Sequence, residues 1–259
     1  MSELLRPSGV SQDKDLVLDI DTVLDLGDTL AVHQSMQETV RDLWGDEFTR
    51  LAKKYIKQGA TLLPDQLSLV SSNVFRDLDY SFLAEERGKW EYDSPFAFIL
   101  QHRSEPTETP MFLSVVGFTY GSHLENYMKS GKGKKIGAAV DSFPVINQIQ
   151  GPQSHSTYKL KPEYYEKARG ILGQVRWEPL LMATVHEWAK SNKLEKLGVL
   201  PAEYNLWVSG LPEDDEKFKR FKRRYDHTAK RYGFEKNEKS SFFELDINNR
   251  PSPLDELGK

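Results

Sequence analysis

Asp19 and Asp21 stand two residues apart in the run LVLDIDTVLDL, so in an extended strand both carboxylates point to the same side. Adjacent carboxylates can divide nucleophilic and acid–base work, and an acidic strand face can equally be a solvated edge. The segment GKGKK at 131–135 joins glycines to lysines, a combination suited to phosphate. It lacks the GxxxxGK(S/T) spacing of a Walker loop and also reads as a solvated loop. Lys217, Lys219, Arg220, Lys222, Arg223, Arg224, Lys230 and Arg231 make one predicted helix strongly basic. That helix could meet RNA or a nucleotide phosphate, or present a solvated face. The six histidines show no HExxH or HxH spacing, so no metal centre is expected. His186, beside Glu187 on a predicted helix, fits either a catalytic or a buried structural role. There is no GxSxG elbow.

Composition narrows the chemistry further. The chain has no cysteine, which excludes disulfides, thiolate catalysis and cysteine-bound zinc. Its net charge of −4 spreads no basic field over the molecule, so nucleic acid is not an expected partner. The N-terminal stretch lacks the apolar core of a signal peptide, and no apolar run is long enough to cross a bilayer. A soluble, cytoplasmic protein is the expectation. An apolar fraction of 38% allows a full core, and no composition break divides the 259 residues into two domains.

The elements that must hold these residues follow from periodicity. Leu16 to Leu26 alternate as a half-buried strand. Ser35 and Glu38 read as a capping box opening a helix that carries Met36, Val40, Leu43, Phe48, Leu51 and Tyr55. Pro64 opens a second predicted helix along Leu67, Val70, Val74, Leu78 and Phe82. PFAFILQ (95–101) and MFLSVVGFTY (111–120) predict a hairpin, and FPVINQIQG (143–151) a further strand. A long connection to about residue 177 leads to a helix with Pro179 in its first turn. LEKLGVLPA (194–202) is a short buried strand, Glu213 to Tyr232 a charged helix that Gly233 stops, and Phe243, Leu245 and Ile247 a last strand. Residues 1–14 and 250–259 are expected to be flexible tails on one mixed α/β (α+β) domain over 15–249 with enlarged loops.

Two families share features with this pattern. The stretch Asp19-Ile-Asp21-Thr-Val23-Leu24 is similar to the DxDx(T/V)(L/V) motif of haloacid-dehalogenase-like phosphatases. That resemblance implies a magnesium-dependent enzyme, with Asp19 as nucleophile and Asp21 as acid/base. From residue 143 onward the order of strand, helix, strand, helix, Gly233-Phe234 and strand resembles the GCN5-related N-acetyltransferase family. The strand, two helices and hairpin upstream fit the same order.

The second resemblance implies an acyl-CoA N-acyltransferase fold and direct transfer of an acetyl group from acetyl-CoA to a small-molecule or peptide amine. It places the thioester platform at Val145, Gln148, Ile149, Gln150 and Gly151, with Asn205 after the following strand. Arg169, Gly170, Gly173 and Arg176 are the candidates for the cofactor's pyrophosphate, and Tyr225 or Tyr232 for the general acid. The family's glycine-bearing loop falls at GQVRWE (173–178), where Arg176 and Glu178 occupy the two glycine places. The usual tyrosine position is Ala229. A second expectation is therefore the same fold used for binding without catalysis.

Overall fold

The computed structural model describes residues 26–43, 46–73, 94, 96–105, 107–120, 143–152, 162–205, 208 and 210–251. The strand expected from Leu16 to Leu26 lies outside the described residues except for Leu26, which begins a helix, and Asp19, Asp21 and the GKGKK segment also lie outside them.

The two longest apolar runs become the centre of a sheet. FAFILQH forms β2 (Phe96–His102) and MFLSVVGFTY forms β3 (Met111–Tyr120), with buried side chains on both faces. Both runs are continuous rather than alternating, as a strand covered on two sides requires. β1 (Leu67–Asn73) pairs antiparallel with β2, β2 with β3, and β3 with β4 (Pro144–Gln150). β5 (Lys196–Val199) then runs parallel to β4, and the order closes through β7 (Phe243–Asp246) to β6 (Glu235–Lys236), both contacts antiparallel. The whole is a seven-stranded mixed sheet in the order β1-β2-β3-β4-β5-β7-β6.

Helices α1 (Leu26–Asp42) and α2 (Asp46–Tyr55) precede the sheet, and α3 (Pro162–Leu172) and α4 (Trp177–Ser191) lie between β4 and β5. α5 (Glu216–Arg224) and α6 (Asp226–Tyr232) follow β5. α4 is the central support. Every residue from Leu180 to Ala189 on it is buried, so apolar side chains surround most of its circumference. Trp188, 1% exposed, lies 4.4 Å from the Phe118 ring and donates its indole N–H to Ser35 Oγ at 2.9 Å. The main core joins α1, α2, α3, α4 and α6 to one sheet face. Smaller clusters, around Phe143, Val145 and Phe242 and around Ile99, Phe112 and Val115, lie apart from it.

Several sequence expectations are corrected. Ser35 lies inside α1, where its hydroxyl donates to Val32 O at 2.8 Å rather than capping an N-terminus. Pro64 opens only a 3₁₀ turn; Val74, Leu78 and Phe82 of the expected helix lie outside the described residues, and its Leu67 and Val70 belong to β1. Their helical spacing is outweighed by pairing with β2, a contact distant in sequence. The long connection before residue 177 contains α3, which is held by packing and by a hydrogen bond from Tyr164 Oη to Phe112 O at 3.0 Å. The charged helix of 213–232 divides at Tyr225 into α5 and α6. Gly233 does stop α6, at φ +93°, and its N–H bonds back to Ala229 and Lys230. Arg250, expected in the tail, lies with its guanidinium 4.5 Å from the Tyr232 ring centroid.

Candidate functional site

β4 and β5 are paired over only two positions, Val145 with Gly198 and Ile146 with Val199. One further bond, Leu200 N–H to Ile146 O at 2.8 Å, closes the seam. β5 then ends, and Pro201 leads into a 3₁₀ turn at Ala202–Tyr204. β4 continues to Gln150 along β3 alone, so its far edge opens towards α5 and α6.

Within that opening β4 also bulges. Gly117 faces Gln148 and Phe118 faces Ile146, so Asn147 is the extra residue. The Tyr225 hydroxyl enters here. It accepts the Ile149 N–H at 3.1 Å and donates to Asn147 O at 3.2 Å. Tyr225 is 3% exposed, and Phe221 stacks on it with a centroid distance of 5.7 Å and nearly parallel planes. The phenol thus replaces the neighbouring strand as hydrogen-bond partner of β4, satisfying two backbone groups that burial would otherwise penalise.

Other polar groups gather along the same strand. Ser94 Oγ donates to Asn147 Oδ1 at 2.6 Å, and Gln148 Nε2 donates to Gln150 Oε1 at 2.9 Å, all of them buried. Gly117 makes room for this group. A Cβ there would lie 2.5 Å from Ser94 Oγ and 2.9 Å from Gln148 Oε1.

Separate from this edge, a cleft of about 410 Å³ lies between the start of α4 and the outer face of α5 and α6. Arg220, Arg223, Arg224, His227 and Arg231 line it opposite Glu178 and Pro179, with Thr228 and Tyr232 completing the wall. The spacing of three and four residues puts these basic side chains on one helical face. Tyr232 Oη lies 3.4 Å from Nδ1 of His186, a fully buried residue on α4.

The expected site residues separate into three places. Val145, Gln148, Ile149, Gln150 and Gly151 lie along β4 and just beyond it, and Tyr225 meets them there. The Val145 side chain faces away from the main core, towards Phe143 and Phe242. Tyr232 belongs to the cleft. Asn205 is buried behind the 3₁₀ turn, whose Ala202 N–H donates to Asp226 Oδ1 at 2.9 Å. Burial raises the Asp226 pKa, against the lowering pull of that hydrogen bond and of Lys222 and Lys230.

The proposed pyrophosphate group is not assembled as expected. Arg169 lies on the exposed side of α3, 4.0 Å from Glu166, and Gly170 is exposed on the same helix. The turn from α3 to α4 is bound to α2. Lys57 Nζ donates to Gly173 O at 2.7 Å, and Arg176 Nη2 to Lys54 O at 2.9 Å. Arg176 also lies over the Tyr55 ring, 5.7 Å from its centroid. These residues anchor the turn instead of facing the cleft. The cleft arginines were visible in sequence only as a basic stripe, because nothing local says that α4 begins opposite them.

Among the described residues no group of histidine, cysteine and carboxylate side chains could hold a metal ion. Asp215, downstream of the Gly-Leu-Pro turn, caps α5 by accepting the Lys217 N–H at 2.7 Å. No described helix is long and apolar enough to cross a membrane. No family model, curated protein or solved structure matches this chain, so the geometry of β4, Tyr225 and the basic cleft is what its function must be read from.

Proposed function

We propose that the chain has the fold of the GCN5-related N-acetyltransferases and transfers an acyl group from acyl-CoA to an amine. The observation that carries this reading is the parallel seam that opens after Ile146 and Val199, with the Tyr225 phenol on the freed edge of β4. A strand edge freed from its neighbour, with a hydroxyl beside it, offers groups that thioester aminolysis can use. Backbone N–H groups can polarise the carbonyl, and the phenol can protonate the departing thiolate. In the reaction a C–N bond forms, the C–S bond breaks, and water or a carboxylate takes the ammonium proton.

The coenzyme would supply the activated acyl group. On this chain the edge from Asn147 to Gln150 would hold the pantetheine arm, and Tyr225 would act as general acid. The Ile149 N–H and Asn147 O already bond the phenol. Tyr225 therefore has to yield some of these bonds when the ligand enters. The same contact favours a second reading, in which the fold binds a ligand or partner without transferring anything.

Isothermal titration of the purified protein with acetyl-CoA tests the first reading. Saturable binding at micromolar to millimolar ligand is expected, and none at millimolar ligand sinks it. Acetylation of any member of an amine panel, lost in Gly151→Trp, would exclude the second. A Cβ on Gly151 would lie 3.4 Å from the Trp177 ring, so a bulky side chain there would crowd the end of β4.

A further inference from the structure

We propose that the cleft between the start of α4 and the outer face of α5 and α6 binds a diphosphate ester through guanidinium side chains. Four arginines, Arg220, Arg223, Arg224 and Arg231, converge on it against a single carboxylate, Glu178. None of the four makes an ion pair with a described residue; the nearby Glu216 is engaged by Lys219 at 2.9 Å. Such a concentration of one sign is unusual on a chain whose net charge is −4. Guanidinium groups stay charged at any physiological pH and present paired N–H donors that match phosphate oxygens.

Shape and surroundings select among anions. A cleft of about 410 Å³ is concave and of small-molecule size, which suits a compact polyanion better than an extended nucleic-acid strand. Thr228 and Tyr232 complete the wall, with the Tyr232 hydroxyl turned to His186. Two joined phosphates spread their charge over several ångströms, a length that arginines one helical turn apart on the α5–α6 face can span. The assignment moves anion recognition from the α3–α4 turn, whose Arg176 is held by Lys54 O and Tyr55, to side chains of the last helices. The site stands on this charge and shape alone. The acyl-transfer reading is needed only to say that the ester is coenzyme A.

The test is calorimetric titration of the intact protein with inorganic pyrophosphate, and separately with coenzyme A and with acetyl-pantetheine. Pyrophosphate should bind, and the double variant Arg223→Gln/Arg224→Gln should weaken it at least tenfold. Both arginines are exposed, so the variant is expected to keep its fold, which circular dichroism checks. Lys217→Gln/Lys222→Gln removes the same charge from α5 outside the cleft and should change affinity less than twofold. No pyrophosphate binding at millimolar concentration, or equal loss in the two double variants, overturns the proposal. Coenzyme A binding that weakens with the arginines while acetyl-pantetheine binding does not identifies coenzyme A as the source. Pyrophosphate binding without any coenzyme A binding upholds the cleft and removes the acyl-transfer reading.

Discussion

Tyr225 is the residue on which the site depends, and its two hydrogen bonds make a measurable claim. Tyr225→Phe keeps the ring and its stacking on Phe221 but leaves the buried Ile149 N–H without its acceptor. An unsatisfied buried donor costs about 1–3 kcal/mol. A urea-unfolding series should show that loss, and an unchanged midpoint would mean the phenol is not bonded to β4 in solution. The adjacent Asp226 makes the opposite claim. Burial raises its pKa, so between the ordinary carboxylate value and the folded value the native state holds the extra proton. Stability from this group is therefore present at low pH and is lost as pH rises through that window. Asp226→Asn keeps an acceptor for the Ala202 N–H without the charge. The variant should unfold at higher urea than the parent at pH 7, and the gap should close as pH falls below about 4. A gap that widens on acidification would contradict the burial argument. Sequence indicated Tyr225 and Tyr232 as candidates, but only the fold separates them: one reaches β4 and the other His186.

At the scale of elements, α4 joins the parts. It contacts α1, α2, β2, β3, β5 and α6, and its Trp188 packs on the Phe118 ring of β3. Trp188→Ala removes that ring from a site with almost no exposure and should cost about 3–5 kcal/mol, read as a fall in the denaturation midpoint. A loss under about 1 kcal/mol would show that the core collapses around the gap. Elements such as α4, β2 and β3 were legible because their runs are long and strongly apolar. β1 was not, because Leu67 and Val70 fit a helical period, and pairing with β2 decided the matter. α3 was missed since PEYYEKARGIL is polar and carries Gly170, so packing supplies what propensity does not. Nothing in KRRYDHT marks the division at Tyr225. No glycine or proline stands there, and the division accompanies a hydrogen bond to a strand 76 residues away.

At the scale of the molecule, the sheet consists of two antiparallel blocks, β1 to β4 and β5-β7-β6, joined by the short seam at Val145 and Ile146. The mixed α/β class was readable from composition and the order of runs. The uneven joining of the blocks was not, because it depends on where β5 stops. That joint makes the protein a candidate for stepwise opening, since two paired positions can part without disturbing either ladder. Native-state hydrogen exchange should then report two cooperative units. Amides of β5 and β7 would exchange through a smaller opening that spares β2 and β3. Uniform protection across all seven strands would show that α4 clamps the blocks into one unit. If two units are seen, the β4 edge that carries the Tyr225 phenol is one that thermal fluctuation already exposes.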